Sequence, residues 1–208
     1  MSDNTPERWD AAYADDDDPA PWVIDEAQPE VVTLIDRGLM TGRLLDAGCG
    51  TGEHSLLAQE NGADVLGVDI SRNAIEIARR KSVDRGINVR FMVVNMLEPV
   101  PFDDGSFDTV LDSGVFHSFA GSEQRAYVDN LTRVTQHGGL LHLICFSEHQ
   151  PGEGEWGPRR ITQAEIHEAF ADAWTLDEIE PAVYRINEFH DTTRVRAWRA
   201  LLRRRPPS

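Results

Sequence analysis

Asp46-Ala47-Gly48-Cys49-Gly50-Thr51-Gly52-Glu53 follows directly on an apolar run, and its glycines recur at every second position. Glycine at this spacing lets a chain turn sharply and bring its backbone against a ligand where a β-carbon would collide. The free N–H groups at the start of the next helix then point at whatever anion sits there. A dinucleotide fingerprint needs a third small residue three positions after its second glycine, and counted from Gly50 that position is Glu53. A phosphate-binding P-loop needs Lys-Ser or Lys-Thr, and Lys81 is the single lysine of the chain. The loop therefore suits a ligand with a carboxylate and no pyrophosphate.

Three other positions carry chemistry. Asp69, in Gly67-Val68-Asp69-Ile70-Ser71, can accept both hydroxyls of a ribose, although an acid there can also serve the dipole or N-cap of the following helix. His117, in Leu111-Asp112-Ser113-Gly114-Val115-Phe116-His117-Ser118-Phe119, can take a proton from a hydroxyl or ring N–H; its other role is a packed ring under a loop. Arg159 and Arg160 close a long loop that starts at Ser147 and has the Gly and Pro content of a lid. They offer a cation to an anionic or phenolate-like substrate, or are simply solvated.

These residues need a scaffold that sets loop ends side by side. Arg43 to Ala47, Asp64 to Asp69, Asn88 to Val94, Phe107 to Leu111 and Leu140 to Phe146 read as strands. Between them lie helical patterns: Glu53 to Gln59, a segment N-capped by Ser71 and ended near Arg85-Gly86, and Glu123 to Val134. Strands alternating with helices at this spacing indicate right-handed crossovers and a doubly wound, mainly parallel α/β sheet. Thr162 to Glu165 forms a capping box for one more helix. Trp174 to Ile179, Val183 to Ile186 and Val195 to Leu202 read as antiparallel terminal strands.

The 208 residues hold 36 acids against 20 Lys and Arg, a formal charge of −16. Residues 1–30 carry ten of those acids against Arg8 alone, while six arginines and no acid follow Asp191. Nucleic-acid binding needs cations that displace condensed counterions, so a polyanionic partner is not expected; the arginines read as a solvated edge strand or frayed terminus. No run approaches the roughly 18 apolar residues of a membrane span, and the N-terminus lacks a signal-peptide pattern, so a cytoplasmic protein without a membrane partner is expected. Two cysteines, Cys49 and Cys145, read as free thiols, and no metal site is expected from so few ligands.

The glycine loop with Asp69 resembles motifs I and II of the class I S-adenosylmethionine-dependent methyltransferases over residues 43 to about 146. The resemblance implies a Rossmann-like seven-stranded sheet with an antiparallel C-terminal strand and S-adenosylmethionine as cofactor. It further implies cofactor contacts at Asp46, Gly48, Gly50, Asp69, Ile70, Asn95, Met96 and Asp112. The Asn or Asp with two prolines and an aromatic, typical of enzymes acting on base amino groups of DNA, is missing after the fourth strand.

The flanks are similar in order and spacing to the thiopurine methyltransferase-like group, nearest its bacterial members that act on heterocycles such as hydroxyquinolones. This likeness rests on Trp9, Tyr13, Pro21-Trp22, Gln28-Pro29-Glu30, Asp112-Ser113-Gly114 and Gly157-Pro158. Ser113 stands where thiopurine enzymes carry Arg, which argues against a thiopurine substrate. In that group residues equivalent to 1–30 fold over the pocket of the domain formed by 31–208. That implies Trp9 as cofactor cover, Trp22, Phe116, His117 and Arg160 as substrate contacts, and His117 as the proton acceptor. The expected activity is methyl transfer to O or N of a small aromatic heterocycle, with no obligatory protein partner. An RNA or protein methyltransferase, a non-catalytic cofactor-binding module and a nicotinamide oxidoreductase stay open as alternatives.

Overall fold

The computed structural model describes residues 4–15, 19–151, 159–189 and 192–207. Asp16 to Asp18 and the Gly157-Pro158 pair lie outside them.

Strand β1 (Arg43–Ala47) is buried on both faces after its first residue, as its uninterrupted apolar run requires of a central parallel strand. It is flanked by β2 (Asp64–Asp69) and β4 (Phe107–Ser113), both parallel to it; β3 (Arg90–Val93) extends the sheet beyond β2, and β5 (Thr135–Phe146) beyond β4. The crossovers carry α3 (Glu53–Glu60), α4 (Arg72–Arg85) and α5 (Gly121–Val134). Ser71 caps α4, its Oγ accepting the Ala74 N–H at 3.1 Å. Gly86 ends that helix in the left-handed conformation, φ +67°.

The C-terminal half departs from expectation. After α6 (Gln163–Phe170), β6 runs unbroken from Trp174 to Phe189 and returns as β7 (Thr192–Arg204). The break expected near Pro181 does not occur because β6 is an edge strand, where a residue without an N–H costs no ladder bond. β7 inserts antiparallel between β5 and β6, so the order is β3-β2-β1-β4-β5-β7-β6. The arginines expected on an edge or frayed end are therefore on an internal strand. Arg203 pairs with Asp177 at 2.9 Å, and Arg199 with Glu180 and Glu30.

Two apolar layers cover the sheet, one around Leu131, Leu141, Phe116 and Phe170, the other around Leu56, Ile75, Leu111 and Ile144. Helix α1 (Pro6–Ala12) crosses the carboxyl ends of the strands, and α2 (Pro29–Asp36) returns to the flank, so a boundary at residue 30 falls inside a helix. Asp10 fastens α1 to the start of α4, accepting from Ser71 Oγ at 2.7 Å and from the Asn73 N–H at 3.2 Å. Asn4 donates to the Ser118 carbonyl and to Glu123. Lys81 ties Asp25 of the crossing segment to Glu53 and Thr51. Among the described residues no helix is long and apolar enough to cross a membrane.

Candidate functional site

A cavity of about 710 Å³ opens at the carboxyl ends of the strands, beneath α1. This is where open α/β sheets hold ligands, because the strand order reverses there and the loops diverge. One end is formed by Gly48, Asp69, Ile70, Asn95 and Met96; the other by Trp9, Trp22, Phe119, Phe146 and Tyr184. A smaller cavity of about 60 Å³ adjoins it at Cys49 and Gly50, and Tyr13, Trp22, Gly48, Ser113 and Tyr184 line both.

The first end is preset by backbone geometry. Gly48 has φ +74°, and a Cβ there would overlap Val115 Cγ2. The Asp69 carboxylate is already anchored, one oxygen accepting the Gly50 N–H at 2.9 Å and the other the Ser71 N–H at 2.8 Å. Each oxygen keeps a further lone pair for a ligand hydroxyl. Burial pushes the Asp69 carboxyl up while these two N–H groups pull it down. Asn95 Oδ1 accepts the Leu97 N–H at 3.0 Å, which fixes the turn after β3.

At the second end Trp22 meets Trp9 edge-on, ring centroids 5.7 Å apart, and donates its indole N–H to Tyr13 Oη at 3.0 Å. His117, Phe146 and Tyr184 form a ladder with centroid spacings of 4.5 and 5.6 Å.

A family model described as "Methyltransferase domain" matches residues 44–139. The chain is 32% identical over 163 residues to the 2-heptyl-1-hydroxyquinolin-4(1H)-one methyltransferase of Mycobacteroides abscessus, covering 78% of this chain and 71% of that protein. The chain belongs to the class I S-adenosylmethionine-dependent methyltransferases. A solved structure concerned with conversion of a disulfide bond into a thioacetal group during echinomycin biosynthesis superposes with TM-score 0.88 at 31% identity, covering 98% of this chain and 94% of that one. The magnesium protoporphyrin IX methyltransferase of Synechocystis, solved with bound S-adenosylmethionine, shares the fold, with TM-score 0.63 at 20% identity over 84% of this chain and 76% of that one.

S-Adenosylmethionine is the methyltransferase's cofactor, and the loop fits it. Asp69 lines the cavity with a lone pair left on each oxygen, Gly48 and Gly50 bound the two cavities with no side chain, and Ser113 Oγ, whose residue lines both, is buried with no hydrogen-bond partner among the described residues.

Of the residues singled out from the sequence, Trp9, Trp22, Gly48, Asp69, Ile70, Asn95, Met96 and His117 line the large cavity, and Gly50 the small one. Four lie elsewhere. Asp46 faces away from both cavities, binding Ser55 Oγ at 2.6 Å, with its other oxygen unpartnered; burial raises its carboxyl to about 7. Asp112 is fully buried and holds the turn beyond β4, accepting from the Val115 and Phe116 N–H groups and from Tyr127 Oη at 2.7 Å. It too is raised to about 7 by burial. Both brace the loops beneath the site, and neither is among the residues that line the two cavities. Phe116 packs against Phe170 in the core, because the short 3₁₀ turn at Phe116–Ser118 points it under the sheet. Arg160 turns to the Pro151 carbonyl; its neighbour Arg159 lines the cavity instead.

His117 requires a larger correction. Its Nδ1 accepts the Phe146 N–H at 3.0 Å, and burial together with the nearby Arg159 lowers the ring to about 3. The lone pair expected to take a proton is occupied, so the ring is neutral and carries its hydrogen on Nε2.

Phe146 and Tyr184 had no sequence signal as site residues. Both sit in strand patterns that predict core, and only the insertion of β7 brings β6 over the mouth of β4 and β5. Tyr184 Oη then reaches the Ser113 carbonyl at 3.2 Å.

Proposed function

We propose that this methyltransferase acts on an oxygen or nitrogen of a small aromatic heterocycle of the hydroxyquinolone kind, with the segment through α1 as the cover of its pocket. The observation that carries this reading is the continuity of one cavity, from the nucleoside-binding end at Asp69 to a chamber walled by Trp9, Trp22, Phe119, Phe146 and Tyr184. Aromatic walls suit a flat ring and also the positive sulfur of the cofactor. The volume lies within the roughly 300–1,000 Å³ of small-molecule sites. The similarity to a hydroxyquinolone methyltransferase supports the same acceptor class.

When bound, S-adenosylmethionine supplies a methyl group already activated by the charge on sulfur. The protein's task is to align the acceptor and exclude water. Asp69 would hold the ribose hydroxyls, Ile70 and Met96 the faces of the adenine, and the Gly48 and Gly50 backbone the methionine end. Asn95, whose Oδ1 is shared with Leu97, has its remaining lone pair and its NH₂ to offer the adenine edge. Trp9 and Trp22 close over the acceptor.

A sulfur acceptor is the second reading, favoured by the near full-length likeness to the protein of the thioacetal conversion. A labelled-methyl assay over hydroxyquinolones, phenols, thiols, cyclic disulfides and RNA tests both. Label is expected in the hydroxyquinolones. Label in RNA alone, or in no acceptor despite tight S-adenosylhomocysteine binding, would overturn the reading.

A further inference from the structure

His117 sits in the 3₁₀ turn Phe116–Ser118, and the elements packed on it fix its state. From β5, Phe146 stacks on the ring and donates its N–H to Nδ1. From the segment before α6, Arg159 is the charged group that faces it. From the N-terminal segment, Asn4 holds the Ser118 carbonyl and so the turn itself. Nε2 has no hydrogen bond among the described residues. It is also absent from the fully buried polar side-chain atoms without a partner there, which are Asn4 Oδ1, Asp46 Oδ1 and Ser113 Oγ. The second nitrogen therefore opens onto the cavity that His117 lines.

The charges around the cavity are sorted. Among the described lining residues the one carboxylate is Asp69, at the nucleoside end, and the cations are Arg8 and Arg159. Arg159 is braced by Glu165 at 2.6 Å and by the Phe119 carbonyl, and Arg8 lies over the Trp9 ring at 5.0 Å. A chain of charge −16 thus presents cations and a fixed N–H donor at the acceptor end.

We infer that His117 is an oxyanion-positioning donor, its Nε2–H directed at the acceptor oxygen, and that the preferred acceptors are hydroxylated heterocycles acidic enough to arrive ionised. This deepens, and rests on, the heterocycle reading above. The acceptor's proton leaves to water before binding. The oxygen's electron pair then forms the new O–C bond as the S–C bond breaks, and the sulfur departs as a neutral thioether. An anion meeting a sulfonium loses charge along this path, so a dry aromatic chamber favours transfer over the separated ions. Hydrogen bonds to charged groups are stronger than neutral ones, which gives the donor its selectivity for the ionised oxygen.

Three measurements test this. In ¹⁵N NMR of histidine-labelled protein, with the His117→Phe variant as assignment control, His117 is expected as the neutral Nε2–H tautomer at neutral pH. The Nδ1–H tautomer or an imidazolium there would overturn the assignment. In pH profiles of kcat/KM for ring-matched hydroxylated acceptors of graded acidity, the midpoint should move with each acceptor's own pKa. A midpoint that stays put while the acceptor changes would make the histidine a base and overturn the donor role alone. His117→Phe, which keeps the stacking on Phe146, should lower kcat/KM for ionised acceptors about ten- to hundredfold with S-adenosylhomocysteine affinity unchanged. His117→Gln, which restores an N–H, should recover part of the loss. Unchanged kcat/KM in the Phe variant would also overturn the proposal. Absence of turnover with every hydroxylated heterocycle, while NMR still reports the Nε2–H tautomer, would overturn the acceptor class and the oxyanion with it.

Discussion

At the cofactor end, Gly48, Gly50, Asp69, Ile70, Asn95 and Met96 come from the loops after three successive strands, within fifty residues of chain. The acceptor chamber takes its walls from positions 9, 22, 119, 146, 159 and 184, contributed by an N-terminal helix, three loops and the strands β5 and β6. The first end is made of backbone held by its own neighbours: Asp69 binds Gly50 and Ser71, and Gly48 lies where no Cβ fits. The second is made of side chains whose mutual placement depends on the whole fold. The difference explains how one scaffold keeps its cofactor and changes its substrate, since the chamber can be rebuilt without touching the loop.

The largest effect expected from this contrast is at Asp69. Asp69→Ala removes the proposed ribose partner and the anchor of two backbone N–H groups, so S-adenosylhomocysteine affinity in calorimetry should fall about a hundredfold. An affinity close to wild type would break the division of labour just described.

The braces under the two ends give the next effect. Asp46 and Asp112 are raised to about 7 by burial, so the folded chain holds protons that the unfolded chain releases around 3.8. Their contribution to stability is complete below that lower value and is lost as pH rises through about 7. Tm should therefore drop by roughly 3–8 °C between about pH 5 and pH 8 in scanning calorimetry. Asp112→Asn should flatten part of that slope, and a slope unaltered by the substitution would show that Asp112 is ionised in place.

The smallest effect concerns the fastening of α1. Asp10→Ala removes its bonds to Ser71 and Asn73, so the acceptor KM should rise about three- to tenfold in steady-state kinetics, with Tm nearly unchanged. An equal loss of S-adenosylhomocysteine affinity would assign the cover to the cofactor end and redraw the comparison.

Legibility in the sequence follows the same line. The glycine loop, Asp69, the Ser71 cap and the Thr162 cap were all readable, because each is a short-range arrangement whose partners lie within a few residues. Asp46 and Asp112 do not line the cavities, for a reason the motif does not carry. A strand sends alternate side chains to opposite faces, and these two turn toward Ser55 and Tyr127, away from the mouth. Phe116 and Arg160 do not line the cavity, whereas their neighbours His117 and Arg159, named with them from the sequence, do.

By itself the sequence determined the family, the cofactor and the parallel half of the sheet, and it named the loop residues that line one end of the cavity. Those features depend on glycine conformations, capping hydrogen bonds and apolar periodicity, all of them local. Tertiary structure alone decided that β6 crosses Pro181 as one edge strand, that Tyr184 and Phe146 become a pocket floor, and which nitrogen of His117 carries the hydrogen. That last choice is made by the Phe146 N–H, 29 residues away, because an acceptor lone pair already engaged cannot also take a proton.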